Sequence, residues 1–414
     1  MRVRELSVRN YRVFGEQAPF VFSDRVTVIA GVNGKGKTTI MDALALLASR
    51  LLPLISPARS GYRTMGPSEI HGEEPNADLA MKVNCVGTPI EFSLRYSRET
   101  RKLRRNTIPE AVRNRVKMAY GDPNRADDQA PLAVYYTTDR AGFRLPKGLP
   151  TSLPRDQALA YVRALRSRMV DYRDFMARYR MWAGDEAHAR SVAAFGTALA
   201  VFLEGFSQLR IEESPLRLTV AKGTQQLSLD QLSDGERSLL AIVADLVRRM
   251  SLANPAIENP LQGAAVVLID EIELHLHPTW QRTVVEKFRT TFPNVPFIAT
   301  THSPFVIQSL RPGELINLDP DEFGEYADKS IEDIAENVMG VDVPQKSERY
   351  RQMMAAAEAY FRLLREPEAI AADVDAAEQR LNELAEPFSD DPAFQALLKL
   401  ERETQRGRGG DATR

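Results

Sequence analysis

Residues 31–38 read GVNGKGKT, which satisfies G-x-x-x-x-G-K-[ST], and no other stretch restricts the possible folds as strongly. The pattern works only where a buried strand runs into the loop and a helix leaves it. Both flanks are legible: RVTVIAG (25–31) is apolar and β-branched, and TTIMDALALLASRLL (38–52) places apolar residues at helical spacing. In that setting the backbone N–H groups of Asn33, Gly34, Lys35, Gly36 and the two residues after them can ring a phosphate at a helix N-terminus. Glycines at 34 and 36 let the chain curl that tightly. Lys37 reaches the outer phosphates of a nucleotide, Thr38 can ligate magnesium, and Thr39 is counted with the nucleotide contacts.

Strands alternate with helices around this loop, so the chain reads as α/β with a largely parallel sheet. Residues 1–140 begin with alternating strands, VRELSVRNYRVF and PFVFS, then the loop and its helix. LAMKVNCVGTPIEFSLRYS (79–97) reads as a hairpin turning at Gly87–Thr88, and PLAVYYTTDR (131–140) as a core strand. Residues 141–215 read as a helical insertion, with helix from about 155 to 207. Residues 216–344 return to strand, helix, strand, with one helix over PTWQRTVVEKFRTTF. Residues 345–403 form a helical tail expected to dock a partner protein: Tyr350, Met353, Met354, Ala357 and Phe361 share one face, and Ile370, Val374, Ala377, Leu381 and Leu384 another. Residues 404–414 have the composition of a disordered end.

The second half of a nucleotide site follows the strand VVLI, which ends in Asp270 and Glu271. Ligands sit at the carboxyl edge of such sheets. Asp270 can hold magnesium through its water shell, and Glu271 is placed to act as general base on an attacking water. ATTHSP (299–304) closes the next strand with His302, a candidate for sensing the last phosphate or positioning water. His275 and His277 read as loop and packing residues, while His71 and His188 have no recognisable partners in the sequence. LSDGE (232–236) puts Ser233 and Gly235 before a long helix, with Glu236 completing a capping box. That N-terminus is a spare anion site, best used on the nucleotide of a second copy of the chain.

The order GxNGxGKT, LSDGE, VLIDEIELHLHP, TTHSP, after an NYRVF opening, resembles the ABC-type ATPase heads of the RecF/SMC-like group. The full string VVLIDEIELHLHPTWQRTVVEKFRTTFPNVPFIATTHSPFVIQS is similar to the PtuA family of Septu and retron-associated anti-phage defence systems. The resemblance covers about residues 1–45 and 225–345. It implies a P-loop NTPase of ABC-ATPase head type and a homodimer, or a higher oligomer, sandwiching ATP and Mg2+. Each site would then be closed by Ser233 and Gly235 of the other copy. It carries Lys37 and Thr38 over to phosphate and magnesium, Asp270 to magnesium, Glu271 to the base and His302 to the switch. It also implies a partner, an HNH-type (PtuB-like) nuclease subunit. One departure stands out: such heads follow a middle strand with a glutamine, and here the matching positions are Thr137, Thr138, Asp139 and Arg140.

A gating ATPase of an anti-phage complex is therefore the leading expectation, with a RecF-like DNA-repair ATPase as the alternative. The basic–aromatic stretch 161–182 (Arg163, Arg166, Arg168, Arg173, Arg178 and Arg180 among Tyr172, Phe175, Tyr179 and Trp182) leaves DNA contact open; Asp171 and Asp174 favour an ordinary amphipathic helix. Net charge is -2, so no global pull toward nucleic acid exists. A single cysteine, Cys85, excludes an internal disulfide and a cysteine-based zinc site. No signal peptide is read at the start and no apolar run is long enough to span a membrane, so a soluble cytoplasmic protein is expected. Glu314 and DPD (319–321) lie too close together for the metal-binding nuclease domain that some related heads carry.

Overall fold

The structure, a computed structural model, describes residues 1–16, 19–58, 63–120, 130–141, 146–150, 152–154, 157–166, 170, 172–319, 329–340, 347–365 and 370–388. Arg168, Asp171, residues 320 and 321 of the DPD run, and the end 404–414 lie outside them. The chain forms two units, Met1–Gly340 and Val341–Arg414.

Five apolar strands form the central sheet of the first unit, in the order Leu315–Asn317, Val26–Ala30, Phe297–Thr300, Ala265–Ile269, Leu132–Tyr136. Every neighbouring pair is parallel. Strands buried on both faces read as continuous apolar runs, and VTVIA, AVVLI and LAVYY are buried at every position. The helix Lys37–Ile55 is long and apolar enough to cross a membrane, yet it lies in this core, with Leu44, Leu47 and Leu51 at most 2% exposed.

A second sheet is antiparallel: Phe14–Glu16, Arg2–Tyr11, Asn76–Cys85, Thr88–Ser97 and Lys102–Arg105 in spatial order, with Phe20–Val21 also paired to Arg2–Tyr11. Its central hairpin turns on Val86 and Gly87, both with positive φ (50° and 75°), as a two-residue connection requires. A smaller antiparallel sheet joins Gln225–Ser228, Leu216–Lys222 and Phe206–Glu213.

Two helix expectations change. The helix expected over 155–207 is instead a 3-10 turn at Gln157–Tyr161, a helix Tyr172–Ala183, a turn at Glu186–His188 and a helix Ala189–Phe202. Asp185 accepts a bond from Ala187 N and starts a new turn just after Gly184. Residues 206–213, at the end of the expected helical insertion, are strand because Phe206 and Leu209 bury against their neighbours. Likewise PTWQRTVVEKFRTTF splits into Pro278–Gln281 and Val284–Thr291. The second of these helices packs through Phe288, which with Phe202, Phe292 and Phe297 makes a fully buried aromatic cluster.

Within the second unit, helices Glu348–Arg365 and Ala371–Ala385 pack on each other. Met353, Ala357, Phe361 and Leu381 bury, with Tyr350, Met354, Val374, Ala377 and Leu384 partly buried beside them. The two sequence stripes therefore cover one another, and only Ile370 of the ten stays largely exposed, at 66%. A parallel sheet with the glycine loop between its second strand in spatial order and a buried helix, accompanied by an antiparallel sheet built from the N-terminal third of the chain, is the P-loop NTPase fold of ABC-head type expected from the sequence.

The aromatic cluster ties the helical insertion to the sheet. Phe288→Ala is expected to lower stability by about 3–5 kcal/mol, read as a lower denaturant midpoint with an unchanged slope.

Candidate active site

Because all five central strands run the same way, their carboxyl ends share one edge, and each delivers one group of residues there. Those groups are the loop 31–36, Asp270 with Glu271, Thr301 with His302, Thr137 with Arg140, and Asp319.

The loop depends on left-handed backbone at Gly31, Gly34 and Gly36 (φ 145°, 85° and 102°). At Gly36 there is a second reason for glycine, since a Cβ would lie 2.5 Å from Phe14 Cζ. Lys37 is 7% exposed, and its ammonium donates to the loop's own carbonyls, Gly31 O at 2.7 Å and Val32 O at 3.0 Å. Burial lowers its pKa, while Asp319 and Asp270 oppose that shift. Asn33, Gly34 and Lys35 occupy the turn of the loop, and Thr39 is a buried residue of the helix.

Thr38 and Asp270 come together from 232 residues apart: the Thr38 hydroxyl donates to Asp270 Oδ2 at 3.1 Å. Thr300 Oγ1 donates to Asp270 Oδ1 at 2.6 Å and accepts from Glu271 N at 2.7 Å. Two hard oxygen donors set side by side on a helix start and a strand end suit magnesium. The ring of loop amides beside Lys37 suits a polyphosphate.

In the segment where a glutamine was expected, Arg140 turns to the acid pair. Thr138 and Asp139 are exposed, but Arg140 is 1% exposed and reaches across to the acid pair. Its Nη1 donates to Asp270 O (2.5 Å) and Thr137 O (3.1 Å), and its Nη2 donates to Glu271 O. Burial pulls its pKa down to about 10, with Glu273, Asp270 and Glu271 working against that. Glu271 has φ 47°, an unfavourable conformation for a residue with a side chain. Arg140 holds both flanking carbonyls in place.

Two contributors escape sequence reasoning. Glu273 accepts from Thr301 Oγ1 (2.8 Å) and from His302 N, so it fixes the backbone that presents His302. Its pKa is raised by burial. Asp319 accepts from Val32 N at 2.6 Å and pairs with Lys35 at 2.6 Å. Burial works to raise its pKa, but Lys35 and the Val32 amide together hold it lower. The only sequence signal for Glu273 is its place two residues beyond Glu271. Asp319 has none, because its partners lie 287 residues away. His302 itself has a lowered pKa, from burial first and Lys37 next, which keeps the ring neutral near neutral pH.

At the other motif, Ser233 caps the helix Asp234–Ala253: its Oγ accepts from Glu236 N (3.3 Å) and its N–H donates to Glu236 Oε2 (2.8 Å). Lys222 binds the second oxygen of Glu236 at 2.8 Å. Gly235 is a glycine for a reason within the chain, since a Cβ there would lie 2.5 Å from His275 O. Among the described residues, no hydrogen bond or ion pair links Ser233 or Gly235 to the loop 31–38. His277 caps the helix Pro278–Gln281 through Thr279 N, and His275 takes a left-handed turn (φ 64°). His71 and His188, for which sequence offered no partner, meet Arg12 O (2.8 Å) and Asp185 (3.0 Å). Tyr172, Phe175 and Trp182 are at most 3% exposed, so the basic–aromatic stretch gives bases no stacking platform at those rings.

Residues 26–308 match the family described as "AAA domain, putative AbiEii toxin, Type IV TA system". A "Retron Vc95 probable ATPase" of Vibrio cholerae serotype O1 biovar El Tor is 27% identical over 383 residues, covering 75% of this chain and 72% of that protein. A "Retron Ec83 probable ATPase" of Escherichia coli is 50% identical over 113 residues, 27% of this chain and 21% of that protein. A "Septu protein PtuA" of Bacillus mycoides (strain KBAB4) is 39% identical over 87 residues, 21% of this chain and 12% of that protein.

Removing Glu273 would free the His302 amide and Thr301 hydroxyl it now fixes. Hydrogen bonds to a charged group contribute about 1.5–3 kcal/mol. Glu273→Ala is therefore expected to slow ATP turnover by about ten- to a hundredfold while leaving nucleotide binding intact, as read by phosphate release and by equilibrium nucleotide titration.

Proposed function

This chain belongs to the family of AAA domains described as putative AbiEii toxins and is an ATPase, and we propose that it is the regulatory subunit of an anti-phage defence complex, gating a separately encoded HNH-type nuclease. The observation that carries the catalytic part is the juxtaposition of Lys37, Thr38, Asp270, Glu271 and His302 at one sheet edge. The defence part rests on the likeness to retron and Septu proteins.

ATP with magnesium supplies the reactive phosphoryl group and the charge that the metal spreads across it. Thr38 and Asp270 are the proposed metal-holding oxygens. Lys37 exchanges its two backbone carbonyls for phosphate oxygens. The Glu271 carboxylate takes the proton of the attacking water, and neutral His302 orients that water or the outer phosphate by a hydrogen bond. Arg140 and Glu273 position these groups without touching substrate. Ser233 and Gly235 of a second copy close the site, so hydrolysis is a property of the dimer. The chain's own acids do not make a nuclease centre at Glu314, which is 7% exposed and bound to Arg289 at 2.6 Å. The proposed nuclease is a separate partner; the apolar stripes of the helical tail cover one another, so they do not themselves argue for docking there.

Glu271→Gln is expected to bind ATP normally and lose about 10²–10⁴-fold in turnover; near-normal phosphate release would sink the general-base assignment. Mixing Lys37→Ala chains with Ser233→Arg chains should restore activity that neither has alone, through one intact composite site per heterodimer. A mixture as inactive as its components would remove the shared-site reading. The gating role is checked by coexpression with the HNH-type nuclease: the two should copurify, and nucleic-acid cleavage should differ between wild type and Glu271→Gln. Failure of both leaves the ATPase standing and discards the gating.

A further inference from the structure

The pattern that defines the phosphate loop fixes Lys37 and two glycines, but it places no demand on Val32 or Lys35. Both are nonetheless held, and by the same side chain. Asp319 Oδ2 accepts from Val32 N at 2.6 Å, and Asp319 Oδ1 lies 2.6 Å from Lys35 Nζ. One carboxylate thus grips the loop at two points, once through backbone and once through a side chain. Asp319 lies beyond residues 26–308, so the family match does not reach it.

The carboxylate is itself firmly placed. The strand Leu315–Asn317 stands at the edge of the central sheet, and its contact with Val26–Ala30 runs on one residue further, from Leu318 N to Ala30 O at 3.0 Å. Asn317 then fixes the backbone of Asp319: its Oδ1 accepts from Asp319 N at 3.1 Å, and its Nδ2 donates to Asp319 O at 2.6 Å. Gly31 permits the close approach, since a Cβ there would lie 3.1 Å from both Asp319 Oδ2 and Leu318 Cβ. Ala30, the residue before the loop, packs with Ile334 and Val338.

A carboxylate beside a phosphate site has two opposite effects. It repels an incoming anion, and it can hold the loop in the shape that the anion needs. Repulsion is muted here because Lys35 pairs with Asp319 and offsets its charge. Asp319 also favours the charged form of Lys37, against burial, more strongly than Asp270 does. What remains is the hold on the loop: a segment tethered in advance loses less freedom when it closes on its ligand.

We propose that Asp319 is a positioning residue for nucleotide binding, a tether that keeps the phosphate loop, through Val32 and Lys35, in the form that receives a polyphosphate. The proposal rests on the reading that the loop 31–38 takes the phosphates of ATP, and it is independent of a second copy and of a nuclease. The tether serves ATP and ADP alike. Its loss therefore raises KM and both dissociation constants instead of slowing the chemical step.

The test is equilibrium titration of the full chain with ATP and with ADP, beside steady-state phosphate release. Asp319→Ala removes both contacts, and affinity for each nucleotide should fall by about tenfold or more, with kcat changed by less than about twofold. Asp319→Asn keeps one acceptor oxygen and should recover part of the affinity. In the nucleotide-free chain, hydrogen exchange at the Val32 amide should quicken in Asp319→Ala and less so in Asp319→Asn. Unchanged or tighter nucleotide binding in Asp319→Ala, a loss confined to kcat, or an asparagine variant no better than the alanine one would each overturn the proposal. Lys37→Ala separates it from the reading beneath it. ATP affinity that survives Lys37→Ala rejects the loop as the nucleotide site, and the tether with it; affinity lost in Lys37→Ala but untouched in Asp319→Ala rejects the tether alone.

Discussion

Parallel alignment of five strands governs the catalytic geometry. Parallel pairing sends every carboxyl end to the same edge, so segments as distant as Gly31 and Asp319 arrive within hydrogen-bonding distance of one loop. An antiparallel arrangement of the same strands would scatter these groups over both edges. The apolar runs that force the strands into the interior are therefore also what assembles the chemistry. Packing from both faces holds that edge in place, which is what Thr38 and Asp270 need if they are to hold a metal as proposed.

Around that edge, order is supplied by two buried groups that bond chiefly to backbone. Arg140 is nearly devoid of water and ties two consecutive carbonyls. Glu273 braces the next strand's exit through an amide and a hydroxyl. Arg140 acts on backbone and Glu273 on one amide and one hydroxyl, so they fix the chain that carries Glu271 and His302. Each also places a charge in a dry environment, which explains the lowered pKa of Arg140 and the raised pKa of Glu273.

Much of the site was legible in sequence because its parts are local. A phosphate loop needs a strand, glycines and a helix start in one contiguous run, and GVNGKGKT supplies them between RVTVIAG and its helix. Asp270, Glu271 and His302 were readable because each directly follows an apolar strand. Arg140, Glu273 and Asp319 were not, since their importance lies in contacts across 130, 29 and 287 residues. The long helix expected over 155–207 failed for a different reason. Helical periodicity persists across Gly184 and Asp185, but a cap formed by Asp185 is stronger local information than the apolar spacing around it. The tail stripes, expected to offer a face to a partner, instead face each other.

Gly235 and the carbonyl of His275 touch because one of them has no side chain. Such a contact is a stop, resisting approach and offering nothing against withdrawal, since no hydrogen bond binds the two. The loop after Glu271 and the start of the helix Asp234–Ala253 are therefore set at a minimum spacing by the missing side chain, and any larger residue at 235 would part them.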